Sequence, residues 1–317
     1  MEHVRLGRTG LKVSRICLGT NMFGAGYVDD ERVFSVVNKA YELGVNFIDT
    51  ADAYHDGLSE HVVGKAVKAH RHDFVIGTKG FMPTGPGVNQ RGLSRKHVIE
   101  AVESSLRQLA TDYIDLYHVH FWDPETPLEE SLRTLDDLVH QGKIRYLACS
   151  NFAAWQLCRA LWVSDKHGLE RFDSVQPEYN FGRREIEREL LPLCEDQRVG
   201  VTPYQLLMGG LLTGAYDRGA DPSESTHMGS RHAQRAKSTY WTEPNFDMVE
   251  RLRPIAAEVG CDLAQLVLAW VLSNPVITSA IVGSSRPEQI VKNAEAVDIK
   301  LSPETLAEIE RATRGPE

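Results

Sequence analysis

Short apolar runs alternate along the chain with longer segments in which apolar residues recur every three or four positions. The short runs are rich in valine, isoleucine and aromatic residues, a composition that favours strands. The longer segments have the spacing of one helix face, as Val98, Val102 and Leu106 show. This alternation predicts an α/β fold in which strands and helices follow one another.

Eight strands are predicted, and a helix follows each of them. The strands cover residues 15–19, a segment that ends at Asp49, and residues 73–79, 113–120, 144–150, 172–176, 199–203 and 279–283. The helices cover residues 30–43, 59–70, a segment from Ser94, residues 128–140, 155–167, 185–197, 246–259 and 262–272, a segment from Pro287, and residues 303–312. The helix over residues 185–197 is expected to be interrupted at Pro192. Residues 4–13 predict a hairpin, and residues 205–244 form a long insert.

This order of elements predicts a single (β/α)8 TIM barrel over residues 1–317, with an N-terminal β-hairpin and long loops at the C-terminal face. The rival architecture is a doubly wound parallel sheet. It is disfavoured because the segment after the first strand, LGTNMFGAG, lacks the GxGxxG spacing.

Composition sets limits on the partners of the chain. Hydrophobic residues make up 42% of the 317 residues and charged residues 25%, as in a globular protein with a sizeable core. The net charge is −9 and no basic stripe is present, so we expect no nucleic acid as a partner. The five cysteines are scattered without a CxxC pair, which argues against a disulfide framework or a zinc site.

The same features predict where the protein is found. Unpaired, scattered cysteines are typical of a reducing compartment. The N-terminal segment is charged, and no stretch approaches the roughly 20 apolar residues of a membrane span. We therefore expect a cytoplasmic protein without a membrane partner.

Polar residues recur where the predicted strands end. In a barrel of this kind the carboxyl ends of the strands meet at one rim, and that rim holds the active site. The residues at these positions are Asp49, Lys79, His120, Ser150, Asn151, Gln176, Tyr204, Gly283 and Ser284. Their common position predicts a functional site at the rim.

Lys79 is the residue at this rim that most needs an explanation. A lysine at the end of an apolar strand is costly to bury unless it is paired, so it either reaches solvent or finds a carboxylate. Paired with Asp49, it would lower the pKa of Tyr54 towards neutral and let the phenol exchange a proton. The structural alternative is that Asp49 caps its loop and Tyr54 packs in the core.

Two histidines lie near the end of the fourth predicted strand. His118 and His120 are two residues apart and therefore face the same side of the strand. The position of His120 at the strand end predicts that it is the reactive one. His118 is predicted to be an interior histidine with hydrogen bonds.

The stretch NFIDTADAYHDGLSE, which contains Asp49 and Tyr54, resembles the signature of the aldo-keto reductase family, and the resemblance covers nearly the whole chain. It implies a catalytic tetrad of Asp49, Tyr54, Lys79 and His120, the last within DYIDLYHVH. The implied activity is NADP(H)-dependent reduction of an aldehyde or ketone to an alcohol, or the reverse, with the tyrosine as proton donor. The implied partner is a small carbonyl substrate.

Four other segments resemble the cofactor-binding stretches of the same family: DLVHQGKIRYLACSNF, VQPEYN, VTPYQLLMGGLLTG and GSSRPEQIVKN. The resemblance implies that Ser150, Asn151 and Gln176 hold the nicotinamide carboxamide and that Tyr204 stacks on the ring. The other implied cofactor contacts are Thr20, Asn21, Asp49, Gln205, Leu206, Leu207, Gly209, Arg231, Gly283, Ser285, Arg286, Gln289 and Asn293.

The chain also departs from the usual residues of the family. Gln205 and Leu206 stand where Ser-Pro is usual, Ala215 where a lysine is frequent, and Lys292 where a glutamate is usual. The resemblance implies that Arg231, Arg286 and Lys292 hold the 2′-phosphate of NADP. The alternative for each is a solvated surface charge.

Two other functions stay open at this point. A lysine at a barrel rim can form a Schiff base with its substrate, as in an aldolase. The family also resembles the beta subunits of potassium channels, in which the barrel is a regulatory partner, although those subunits commonly differ at the position of His120. A partly apolar pocket is suggested by Phe23, Tyr27, Phe81, Trp122, Tyr240 and Trp241. For Tyr240 and Trp241 the alternative is packing elsewhere in the fold. The sequence does not identify the substrate or the oligomeric state.

Overall fold

A computed structural model describes residues 1–24, 28–223, 228–229 and 234–314. The strands in this part of the chain are β1 His3–Arg5, β2 Lys12–Ser14, β3 Ile16–Gly19, β4 Phe47–Asp49, β5 Val75–Gly80, β6 Ile114–Val119, β7 Ile144–Ser150, β8 Phe172–Gln176, β9 Gly200–Val201 and β10 Ala280–Gly283. β1 and β2 form an antiparallel hairpin. The other eight strands are parallel, in the order β10-β3-β4-β5-β6-β7-β8-β9.

The parallel sheet curls until its two outer strands meet. Val201 forms a parallel bridge with Ile277, which lies just before β10. The amide of Thr278 donates to the carbonyl of Val201 over 2.8 Å, and that of Ile281 donates to the carbonyl of Pro203 over 3.0 Å. Because the sheet closes and its strands follow the order of the chain, the predicted (β/α)8 barrel is confirmed and the doubly wound alternative is wrong.

Helices surround the barrel. Their bounds are α1 Asp30–Glu42, α2 Leu58–Val67, α3 Arg95–Leu109, α4 Leu128–His140, α5 Ala154–His167, α6 Leu190–Gln197, α7 Gln234–Tyr240, α8 Glu243–Val259, α9 Leu263–Ser273, α10 Pro287–Glu295 and α11 Pro303–Arg314. Short 3₁₀ segments cover Lys68–Asp73, Glu185–Glu187, Met208–Thr213 and Ala296–Asp298. Within the described ranges no single helix has the length and apolarity of a membrane span; α8 and α9 reach it only together, with a bend of 83°.

The expected interruption at Pro192 is wrong. Pro192 is the third residue of α6, and residues in the first turn need no intrahelical hydrogen bond from their own nitrogen. The break in the helical pattern lies earlier, between the short 3₁₀ segment that ends at Glu187 and the start of α6 at Leu190.

The predicted N-terminal hairpin packs against the amino ends of the barrel strands. Leu6 and Val13 have no solvent exposure and join the apolar cluster inside the barrel. Gly7 has a φ of +55°, and a Cβ there would lie 2.7 Å from the backbone of Asp173 and of Gly200. Only glycine fits this close approach, which lets the hairpin turn seal that end of the barrel.

An apolar layer fills the barrel below the rim. It consists of Leu6, Val13, Cys17, Phe47, Val75, Leu116, Ala148 and Ile281. These side chains alternate along their strands with outward ones that pack against the helices. Truncation of a buried side chain such as Phe47 to alanine costs about 3–5 kcal/mol in similar cores, so this layer is a firm floor for the polar groups above it.

Candidate active site at the carboxyl ends of the strands

The centre of the rim is a buried ion pair between Asp49 and Lys79. The Lys79 ammonium donates to Asp49 Oδ2 over 2.7 Å, to the Thr50 carbonyl over 2.6 Å and to the Tyr54 hydroxyl over 3.3 Å. Lys79 has no solvent exposure and Asp49 is 3% exposed, whereas Tyr54 is half-buried. The prediction that Lys79 pairs with Asp49 is therefore confirmed, and a solvent-directed lysine is wrong.

Gln176 completes the support of the carboxylate. Its side-chain amide donates to Asp49 Oδ1 over 2.8 Å, so the two oxygens of Asp49 have different partners. The backbone of Asp49 is held as well, because the amide and the hydroxyl of Thr20 both donate to its carbonyl, over 3.0 and 2.9 Å. These contacts fix the carboxylate, and through it the ammonium of Lys79.

The proton affinities of this group reflect burial and charge together. Burial lowers the pKa of Lys79, but the attraction of Asp49 and Tyr54 outweighs burial and raises that pKa above its ordinary value. Burial raises the pKa of Tyr54, and Lys79 opposes this effect without overcoming it. The predicted shift of Tyr54 towards neutral pH is therefore wrong in its net direction, although Lys79 acts on the phenol with the expected sign.

His120 faces Tyr54 across the rim. Their ring centroids are 6.3 Å apart at an edge-to-face angle, and the imidazole stacks on Phe121 at 4.9 Å. Burial and the nearby charge of Lys79 lower the pKa of His120 to about 3, so its ring is neutral at ordinary pH. Within the described part of the chain, its Nδ1 is buried without a hydrogen-bond partner.

His118 lies deeper in the barrel. It has no solvent exposure, and its Nδ1 is 3.3 Å from the Thr78 carbonyl. Burial, together with Lys79, lowers its pKa to about 3. This position is the one expected for an interior histidine.

A second cluster lies at the ends of β7 and β9. The hydroxyl of Ser150 donates to the Gln176 carbonyl over 2.8 Å, and the side-chain amide of Asn151 donates to the His120 carbonyl over 3.1 Å. The Tyr204 hydroxyl donates to Asn151 Oδ1 over 2.7 Å. The structure thus brings together the three residues predicted to hold the carboxamide and the tyrosine predicted to stack on the ring.

The segment after Tyr204 offers backbone rather than side chains. Leu206 is 1% exposed and belongs to the core, while Leu207 is half-buried. Gly209 and Gly210 have φ values of +67° and +95°, which free the chain to turn tightly here. The Gln205 side chain accepts from the Gly209 amide over 3.3 Å, so it stabilises this turn.

The residues predicted to hold the adenosine phosphate surround the start of α10. Gly283 pairs with Gly19 in the sheet, and the amide of Ser285 donates to Gln289 Oε1 over 2.7 Å. Arg286, the N-cap residue of α10, is exposed and makes no ion pair within the described residues. A helix N-terminus beside a free guanidinium is suited to a phosphate.

The remaining residues of the predicted cofactor set differ in their surroundings. Asn293 is 5% exposed, and its amide donates inward to Ser284 over 3.1 Å. Asn21 is exposed, and its carbonyl contacts the His55 ring at 2.9 Å. Arg231 lies outside the described residues. Lys292 forms an ion pair with Asp262 over 2.9 Å, which favours the surface-charge alternative for this residue.

The suggested pocket aromatics divide into two groups. Phe23 has no exposure and Tyr240 is 4% exposed, so both are core residues, and Trp241 packs edge-to-face on Phe246 at 5.1 Å. The ring centroids of Phe81 and Phe121 are 5.7 Å apart, and Phe121 stacks on His120. Those of Trp122 and Phe152 are 5.4 Å apart. Tyr27 lies outside the described residues.

Two buried acids beside the site were not predicted from the sequence. Asp52 is 8% exposed and Glu60 1% exposed, and both feel the charge of Lys79. Both belong to the stretch that carries Asp49 and Tyr54, and the helical spacing of α2 could have placed Glu60 on its inner face.

Comparison with known proteins agrees with this geometry. The model of the Aldo/keto reductase family matches residues 15–314. A probable voltage-gated potassium channel subunit beta from Arabidopsis thaliana is 37% identical over 98% of this chain and 96% of its own length. The versiconal hemiacetal acetate reductase of Aspergillus parasiticus is 35% identical, over 98% and 96%. An uncharacterized oxidoreductase of Bacillus subtilis is 35% identical, over 100% and 97%.

The family match spans all eight strands of the barrel and every rim residue described above. The identity with each of these relatives extends over nearly the full length of both chains. The chain belongs to the aldo/keto reductase family.

Proposed function

We propose that this protein is an NADP(H)-dependent oxidoreductase that reduces an aldehyde or ketone to an alcohol, or catalyses the reverse reaction. The observation that carries the proposal is the fully buried ammonium of Lys79, which contacts both the Asp49 carboxylate and the Tyr54 hydroxyl. A cation beside a phenol stabilises the phenolate left after proton donation. This arrangement suits proton transfer at Tyr54.

The donor groups on the rim fit a nicotinamide cofactor. Asn151, Ser150 and Gln176 present amide and hydroxyl groups of the kind that pair with a carboxamide, and Tyr204 offers a ring next to them. The glycine turn after Tyr204 and the start of α10 suit the phosphates. When bound, the cofactor supplies or accepts the hydride.

The residues around Tyr54 supply the proton and the orientation. Tyr54 donates its proton to the oxygen of the reduced carbonyl, and Lys79, held by Asp49, stabilises the resulting phenolate. His120 is neutral, so it can donate a hydrogen bond to the carbonyl oxygen without delivering a full charge. Phe81 and Phe121 beside His120 provide apolar surface for the rest of the substrate.

A Schiff-base lysine is less suitable for this site. An amine attacks a carbonyl only when it is deprotonated, and such lysines have lowered pKa values. The pKa of Lys79 is raised. Borohydride treatment in the presence of carbonyl compounds should therefore leave no substrate attached to Lys79.

The relatives named as potassium channel beta subunits support a second candidate, a regulatory subunit that binds the cofactor. The two candidates differ in turnover. We expect the purified protein to consume NADPH with at least one member of a panel of aldehydes, ketones and sugars. We expect Tyr54→Phe to lose this NADPH consumption. Tight NADPH binding with no turnover on any carbonyl would favour the regulatory function instead.

A further inference from the structure

The proposed reaction does not use two buried carboxyl groups, those of Asp52 and Glu60. Asp52 lies in the loop after β4 and Glu60 lies on α2, and both side chains are at least nine-tenths buried. The positive charge of Lys79 acts on both carboxyl groups and lowers the pKa of each. They therefore lie within the electrostatic field of the proposed proton donor.

The two acids differ in their partners. Glu60 accepts a hydrogen bond from the Thr78 hydroxyl over 2.5 Å. The backbone amide of Asp52 donates to the Lys79 carbonyl over 3.1 Å, which holds this residue beside β5. Both carboxyl oxygens of Asp52 are inaccessible to solvent, and neither forms a hydrogen bond of ordinary geometry in the residues that the structure describes. The backbone amide of Ala53 favours the charged form of this carboxyl group, but less strongly than burial disfavours it.

The charges around Asp52 are unfavourable for an ionised carboxylate. Four titratable groups face it: Glu60 from α2, Lys79 from β5, Tyr117 from β6 and Tyr54 from its own loop. The ammonium of Lys79 is already occupied by Asp49, the Thr50 carbonyl and Tyr54. A buried carboxylate without a hydrogen bond or a cation of its own takes up a proton instead of remaining charged.

We propose that Asp52 is held as a neutral carboxylic acid by its burial near Glu60. Because a neutral Asp52 does not compete for the ammonium of Lys79, that charge remains available to Asp49 and Tyr54. Asp52 is thus a positioning residue that acts through Lys79. An ionised Asp52 would add a negative charge that disfavours the phenolate of Tyr54.

The direction of the proton affinities agrees with this geometry. Burial and the negative charge of Glu60 raise the pKa of Asp52 to about 8, and they outweigh the Ala53 amide and the Lys79 charge, which lower it. Burial also raises the pKa of Glu60.

The protonation state can be tested without any assumption about the reaction. In heavy water at pH 7, the infrared spectrum of the parent should contain the C=O band of a protonated carboxyl group that is missing from Asp52→Asn. Asp123→Asn is the matched control, because Asp123 accepts from Leu93, Glu125 and Thr126 and these bonds hold its pKa below its ordinary value despite partial burial. No such band should be lost in that control. Identical carboxyl regions in the parent and Asp52→Asn would overturn the proposal.

Stability gives a second readout. A carboxyl group whose pKa is raised to about 8 in the folded protein and is about 3.9 when unfolded loses stabilisation as pH rises between these values. The free energy of unfolding of the parent should therefore fall relative to that of Asp52→Asn from about pH 4 to pH 8, and then stay constant. Parallel curves for the two proteins would contradict a neutral Asp52.

The effect of Asp52 on Tyr54 rests on the proposed function. A third measurement tests this effect separately from carbonyl reduction. The ultraviolet absorption of the Tyr54 phenolate, taken as the difference between each protein and its Tyr54→Phe counterpart, should develop at lower pH in Asp52→Asn than in the parent. An unchanged Tyr54 titration would remove the link to Lys79. If that link holds but no carbonyl is reduced by the parent, the proposed function fails alone.

Discussion

Gln176 and Asp49 come from strands on different sides of the barrel, and the Gln176 amide donates to Asp49 Oδ1 over 2.8 Å. This bond leaves Oδ2 for Lys79. Both side chains are buried, so loss of the donor leaves a carboxylate oxygen unsatisfied. Gln176→Leu should lower the free energy of unfolding by about 1–3 kcal/mol. Thermal or urea unfolding measures this, and Gln141→Leu, at an exposed glutamine, is the control. Equal losses would contradict the assigned role.

The ion pair of Lys79 and Asp49 predicts a pattern across three variants. Lys79→Met leaves the buried Asp49 carboxylate without its cation and should cost about 3–5 kcal/mol in unfolding free energy. Combining it with Asp49→Asn should restore much of that stability, because no charge is then left unpaired. Carbonyl reduction should stay lost in the double variant. Additive losses in the unfolding measurements would show that the two charges do not act as a pair.

Tyr54 is the residue on which the proposed chemistry depends. Tyr54→Phe fills the same space without the hydroxyl, and removal of a general acid costs roughly 10²–10⁴-fold in rate. NADPH affinity, followed by quenching of tryptophan fluorescence, should be close to that of the parent. Turnover within a few-fold of the parent on its best substrate would show that another group supplies the proton.

The two histidines provide a matched pair. His120→Asn should lower turnover and keep cofactor affinity, because the role proposed for the ring at the rim is to orient the carbonyl. His118→Asn alters a buried interior ring, so its main effect should be on unfolding. The pKa of His120 is about 3, so the rate should show no ionisation near the ordinary histidine value of about 6.5. Loss of turnover in His118→Asn alone would transfer the role to that residue.

Cofactor preference is expected to depend on Arg286. Arg286→Ala should weaken NADPH binding about tenfold or more and leave NADH binding nearly unchanged, because only NADPH carries the 2′-phosphate. Lys292→Ala, in α10, is the control, since its ammonium is engaged by Asp262. Equal losses for both cofactors in Arg286→Ala would place the arginine elsewhere on the nucleotide.

The rim was predictable because parallel strands in a barrel end at one edge. Asp49, Lys79 and Gln176 each end a recognisable apolar run, so their convergence follows from topology alone. The pairing of Lys79 with Asp49 also follows, because a buried lysine needs a carboxylate.

Properties that depend on tertiary packing were not predictable. Burial raises the pKa of Tyr54 and the charge of Lys79 lowers it. The balance of these two effects depends on the folded structure. The partner of Lys292 is an aspartate before α9, thirty residues earlier, and only helix packing brings them together. Phe23 was predicted to line the pocket, but it has no solvent exposure and packs in the core. For Tyr240, 4% exposed, packing in the core was one of the two alternatives.

The barrel closes through β9, which has two residues, and a few hydrogen bonds to β10 and the residues just before it. Such a junction is the part of the sheet that opens with the least free energy, so amide exchange should be fastest there. Tyr204 and Gly209 follow one side of this junction, and Ser285 and Arg286 follow the other. A dinucleotide bound to both sides would act as a clasp across the join, so the grip on the cofactor and the integrity of the cylinder would rise and fall together.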